Sequence, residues 1–144
     1  MKCEDIMTKS IKMCDSNCTA KDAAQIMKKI NSGVVPIVDE KDHVIGIVTD
    51  RDITLHTVAE GKDPSKVKIH DFMTKHVVTV QESDLLDDAI HKMKENKVRR
   101  LPVVNENSEL TGIISIGDIA VLTDAQQETF EALEQISEPI SGAK

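Results

Sequence analysis

A chain of 144 residues has room for one ordinary domain or two small ones, and 40% hydrophobic with 30% charged residues is a globular balance. The net charge of −7, with Phe72 and Phe130 as the sole aromatic residues, argues against a nucleic-acid partner, which would need clustered Lys and Arg or stacking rings. No run approaches 18 apolar residues, so no membrane span is expected, and the acidic start MKCEDIMTKS lacks the apolar core of a signal peptide, which points to the cytoplasm.

In chain order, the first feature is Asp5-Ile6-Met7-Thr8-Lys9, which returns 66 residues later as Asp71-Phe72-Met73-Thr74-Lys75. The same offset carries Ala23 to Ala89, Met27 to Met93, Pro36 to Pro102, Gly46 to Gly112 and Asp52 to Asp118, with no gap. The repeat divides the chain into a first unit at 1–60, a linker at 61–70, a second unit at 71–122 and a tail at 123–144. In the first unit a short strand is expected near Ile11–Cys14. A helix follows, capped by Thr19 with Asp22 three residues on, and its apolar face is Ala20, Ala23, Ala24, Met27 and Ile30. VVPIVD and VIGIV, separated by a polar turn, predict a hairpin, and a second helix begins near Asp50. The second unit repeats the order. It has a strand near Val77–Val80, then a helix capped by Asp84 with Leu86, Ala89, Ile90 and Met93 inward. The hairpin LPVVN/LTGII comes next, and the last helix starts near Ile116. Each unit is therefore βαββα, an α/β fold with a small three-stranded mixed sheet, and its strand–helix–strand part is a right-handed parallel crossover. Two such units packed as a pseudo-two-fold pair bury faces that neither can bury alone. The tail places Phe130, Leu133 and Ile136 at helical spacing, either to pack on its own module or to meet a second subunit.

Two places depart from simple core patterning. Gly46–Asp52 (GIVTDRD) and Gly112–Asp118 (GIISIGD) end an apolar strand with Thr49 or Ser115 and set Asp52 or Asp118 three residues later. This spacing is a capping box. It also aims a hydroxyl, a carboxylate and free amides at one corner, where amides suit a phosphate and a carboxylate suits the two hydroxyls of a ribose. The second place is Pro36 and Pro102, each inside an apolar strand, where proline cannot donate and belongs at an edge or where the partner strand has ended. Arg99 and Arg100 lead into Pro102 and match phosphate geometry, whereas Gly33 and Val34 lead into Pro36. Cys3, Cys14 and Cys18 are read as ordinary reduced cysteines and the five histidines as surface residues. No metal cluster, nucleophile–base pair or catalytic residue is recognised, and no cofactor is expected.

These motifs together resemble the cystathionine-β-synthase (CBS) domain family in its tandem form, the Bateman module, over about residues 2–122. The resemblance implies a regulatory, energy-sensing module with adenosine ligands between the units. One site would combine Ile47, Thr49 and Asp52 with Val77, Val78, Arg99, Arg100 and Pro102. A second, weaker site would combine Ile113, Ser115 and Asp118 with Ile11, Lys12, Val34 and Pro36. It further implies a homodimer that signals to a separate, unidentified protein. An S-adenosylmethionine sensor, and an interaction protein with vestigial sites, stay open as alternatives.

Overall fold

The Thr19 hydroxyl accepts from the Asp22 amide at 3.1 Å, and the Asp22 carboxylate accepts from the Thr19 amide at 2.9 Å. This reciprocal box starts helix α1 (Ala20–Ile30) in the computed structural model, which describes residues 1–9, 11 and 13–138. Ala20, Ala23 and Met27 are buried along its inner face. Ile26 and Ile30 are half-buried and Ala24 is exposed, so the expected apolar stripe holds except that Ile26 takes the place of Ala24. Helix α2 (Asp50–His56) follows strands β1 (Val34–Val38) and β2 (Val44–Thr49).

The second repeat forms β3 (Val80–Gln81), α3 (Leu86–Asn96), β4 (Arg100–Val104), β5 (Leu110–Ser115) and α4 (Ile116–Leu122). Leu86, Ala89, Ile90 and Met93 are all buried, as the spacing requires. Asp84 does not cap α3. Its carboxylate instead accepts from the Gln81 amide at 2.9 Å in the turn after β3, and the first helical amide, Leu86 N, donates to the Met1 carbonyl. The chain start thus supplies the oxygen that the expected cap would have supplied.

β3 runs parallel to β4 with Val80 opposite Val103, and the sheet order is β3-β4-β5. In the first repeat β1 and β2 form an antiparallel hairpin, and among the described residues of the expected first strand Cys14 makes a parallel bridge to Ile37, while Lys12 lies outside them. A turn at Asp15, whose carboxylate accepts from the Asn17 amide, follows that bridge at once.

The chain separates into two compact units that are not the contiguous repeats. Unit I holds Ser10–Val77 with Ser108–Leu110, and unit II holds Met1–Lys9, Val78–Asn107 and Thr111–Lys144. The Met-Thr-Lys segments show why the boundaries of 1–60 and 71–122 differ from these. Thr8 exchanges both backbone hydrogen bonds with Ile113, and Met7 lies across Gly112. Thr74 exchanges the same pair with Ile47, and Met73 lies across Gly46. Each Met-Thr-Lys segment therefore completes the sheet built by the other repeat. A Cβ on Gly112 would meet both the Met7 sulfur and the Thr8 carbonyl oxygen, the second of which is backbone held in the ladder. Gly112→Ala is expected to destabilise the protein by about 1–3 kcal/mol, and Gly46→Ala by less because only the flexible Met73 side chain must yield there. Denaturant midpoints at unchanged slope measure both.

In unit II the tail forms α5 (Gln126–Ile136), which packs on α3 and α4. Its buried residues are Thr129 and Ala132, with Ile136 half-buried beside them. Phe130 and Leu133 point outward, at 66% and 40% exposure, so the small residues face the core and only Ile136 of the expected stripe joins them.

Candidate functional site

In unit I the strand–helix junction is built from β2 and α2. The Thr49 hydroxyl accepts from the Asp52 amide at 3.1 Å, and the Asp52 carboxylate accepts from the Thr49 amide at 2.9 Å. The capping role of this motif is thus realised. It does not exhaust Asp52, since a carboxylate offers about four acceptor sites. In unit II the Ser115 hydroxyl accepts from the Asp118 amide at 3.0 Å, without the reciprocal box that closes around Asp52. Both carboxylate residues are half-buried.

Each junction is tied to the strand that carries the proline. Asp50 N donates to the Gly33 carbonyl and Ile116 N to the Arg99 carbonyl, at 3.0 and 2.9 Å. In the β1–β2 register Val34 lies opposite Thr49 and Pro36 opposite Ile47. Pro36 is buried in the middle of its sheet rather than at an edge. The reason is local. Ile47 spends its amide and carbonyl on Thr74, away from β1, so nothing across the hairpin needs an amide from Pro36. On the other side the Pro36 carbonyl accepts from Cys14 N, and the ladder continues through Val38 N.

The two proline corners differ in charge. Arg99 and Arg100 are both exposed at the start of β4. At the matching corner of unit I a Cβ on Gly33 would lie 3.0 Å from the Asp50 carboxylate. That corner is therefore glycine beside an acid, unsuited to phosphate, and Asp50 is the residue that repeat-matching overlooked. Its counterpart is Ile116, so the difference was present in the sequence as Asp against Ile.

The structure gathers Ile11, Val34, Pro36, Ile47, Thr49, Asp52 and Val77 in unit I. It gathers Val78, Arg99, Arg100, Pro102, Ile113, Ser115 and Asp118 in unit II. Each expected site draws residues from both groups. Lys12 lies outside the described residues. A separate open concavity of about 800 Å3 in unit I is lined by Asp15, Asp39, Glu40 and Asp42 with Cys14 and His43, and includes none of the expected ligand residues. Among the described residues no group of three or more His, Cys, Asp or Glu is placed to hold a metal ion. The histidines lie at the surface as expected, His43 and His56 with side chains 42% and 43% exposed, and the His56 ring stacks on Phe72 at 4.7 Å. Burial pushes the Cys3 thiol up to about 11, and burial with a bond to the Cys18 thiol pushes Cys14 higher still. Neither is a thiolate at neutral pH, the form that attacks. Among the described residues no helix is long and apolar enough to cross a membrane.

The chain is 38% identical over 138 residues to protein YlbB of Bacillus subtilis, covering 95% of this chain and 92% of that one. It is 36% identical to the CBS domain-containing protein YhcV of the same organism, covering 93% and 94%. Among solved structures, the CBS domain pair of protein MJ0100, in complex with 5′-methylthioadenosine and S-adenosyl-L-methionine, has a TM-score of 0.75. It is 32% identical, with 85% of this chain and 94% of that one covered. The CBS domain profile matches residues 3–57 and 69–122. Two matched repeats over most of its length place the chain in the CBS domain family.

Proposed function

We propose that this CBS pair is a regulatory module that binds an adenosine nucleotide and signals to a separate protein. The observation that carries the reading is the doubled corner. A Thr or Ser with an Asp three residues on closes a strand–helix junction and is stitched to a proline strand, twice. The adenosine ligands of the MJ0100 pair support the same ligand class. In the first site Asp52 takes the ribose hydroxyls, Arg99 and Arg100 take the phosphates, and Ile47, Val77, Val78 and Pro102 supply apolar contacts to the base, with Thr49 holding Asp52. The second site, with Ile11, Lys12, Val34, Pro36, Ile113, Ser115 and Asp118, is weaker for phosphorylated ligands because Gly33 and Val34 stand where the first site has its arginines, with the Asp50 carboxylate beside Gly33. S-adenosylmethionine, which carries no phosphate, is the second reading, and the presence of that ligand in the MJ0100 pair supports it. The module is proposed to regulate and not to catalyse, in the cytoplasm. Thermal-shift titration tests the ligand class: AMP, ADP, ATP or S-adenosylmethionine should raise the midpoint with concentration, and equal shifts with GTP and UTP would count against adenosine.

The chain is further proposed to be a homodimer. Leu55 and Val58 of the α2 segment and Val121 and Leu122 of α4 are 41–82% exposed, and Leu55 and Val121 occupy equivalent places in the repeat. Two copies of such faces suit a closed two-fold pair. Sedimentation at tens of micromolar should give twice the monomer mass, and Leu55→Glu with Val121→Glu should return it to monomer.

A further inference from the structure

The charge of this chain is unevenly placed. Of its eighteen Lys and Arg only Lys144 lies beyond Arg100, against eight of its twenty-five Asp and Glu, so residues 101–144 hold the whole formal charge of −7. Four of those acids, Asp124, Glu128, Glu131 and Glu134, lie on α5 or just before it, and α5 has no Lys or Arg. The same helix leaves Phe130 and Leu133 outward, an aromatic and an aliphatic side chain one turn apart at 66% and 40% exposure. Glu128 and Glu131 line the groove that α5 makes with α3, with Asp87, Ile90, His91 and Lys94 across from them. At about 100° per residue, Phe130 and Leu133 fall on the opposite flank, bordered by Glu134.

From this juxtaposition we propose that the Phe130–Leu133 flank of α5 is a docking surface for a basic amphipathic helix of another protein. Phe130 and Leu133 are the apolar anchors, and Glu134 beside them, within a segment of net charge −7, selects Lys and Arg on the partner. The charge decides between occupants. A second copy laid on this flank would oppose acid to acid, because a two-fold interface presents the same patch twice. A nucleic acid or an anionic membrane would be repelled for the same reason. The surface does not rest on nucleotide binding, so the two ideas fail separately.

The test uses the full-length 15N-labelled protein and a peptide of about 18 residues of Leu and Lys, with Leu at the spacing of one helix face. Two controls are the same composition with Leu spread around the helix, and a Leu/Glu peptide of matching pattern. Shift changes should centre on Gln126–Ile136 with the amphipathic Leu/Lys peptide, and both controls should bind at least about tenfold more weakly. Phe130→Ala with Leu133→Ala should also lose about tenfold or more, and Glu134→Lys with Glu138→Lys should weaken binding and flatten its salt dependence. These positions are exposed, and unchanged far-ultraviolet dichroism confirms the fold of each variant. Equal binding by the scattered peptide, or by the Ala pair, overturns the proposal. So does a dimer that the Ala pair turns into monomer, since a second copy then covers the flank. Binding that appears only after residues 139–144 are removed overturns it as well, since the chain's own end is then the occupant. Nucleotide titration of the Ala pair should match the parent chain.

Discussion

Replacing Arg99 and Arg100 together by alanine is expected to weaken binding of AMP, ADP or ATP by roughly a hundredfold, while adenosine changes by less than about threefold. The magnitude follows from charged hydrogen bonds of about 1.5–3 kcal/mol each, at about 1.4 kcal/mol per decade of affinity. In a chain of net charge −7 these two residues are the adjacent cations at a proline corner, and both are exposed. Lysine at both positions should recover only part of the loss, because an ammonium is a point charge and lacks the planar fork of arginine. Calorimetry with the nucleotide and adenosine in parallel separates the phosphate contribution from general damage. Equal losses for the two ligands would remove Arg99 and Arg100 from the phosphate role.

Asp52→Asn is expected to weaken a ribonucleotide by about tenfold or more and its 2′-deoxy analogue by clearly less. Asparagine is the informative change because Asp52 has a second duty: its carboxylate accepts from the Thr49 amide to start α2. The amide oxygen of asparagine can keep that bond while the charge is lost, whereas alanine would also cost about 1 kcal/mol of capping. Asp118→Asn, in the proposed second site, whose residues before Pro36 are Gly33 and Val34 and not an arginine pair, should leave the tighter binding event in place. If Asp118→Asn removes that event and Asp52→Asn does not, the order of the two sites is reversed.

Much of this was legible in the sequence, because the offset of 66 is a physical regularity. It reappears in the backbone, where Asn31 and Lys97 end their helices in the left-handed conformation and Asp42 and Ser108 turn their hairpins in it. Local chemistry was equally readable at Thr19 and Thr49, whose hydroxyls and downstream carboxylates have one short-range way to satisfy the amides at a helix start. What could not be read was which Met-Thr-Lys segment serves which sheet. Met7 and Met73 offer the same thioether to Gly46 and Gly112, so nothing in composition distinguishes the near partner from the exchanged one. Asp84 failed as a cap for a related reason, since the competing acceptor, the Met1 carbonyl, comes from 85 residues away. Pro36 was expected at an edge or where its partner strand had ended, and the sequence does not show that Ile47 opposite it turns its amide and carbonyl to Thr74. In α5 periodicity found the helix, but Thr129 and Ala132 won the core because small residues let it approach α3 closely.

The central claim, a module that recognises adenosine nucleotides through Asp52 and the arginine pair, is tested most directly by calorimetric titration. The purified chain is titrated with AMP, ADP, ATP and S-adenosylmethionine, beside Asp52→Asn under the same conditions. At least one phosphorylated adenosine ligand should bind the parent chain at micromolar concentration, with its tighter event lost in Asp52→Asn. Saturation by none of them up to about 1 mM, or binding that survives Asp52→Asn unchanged, would contradict the account.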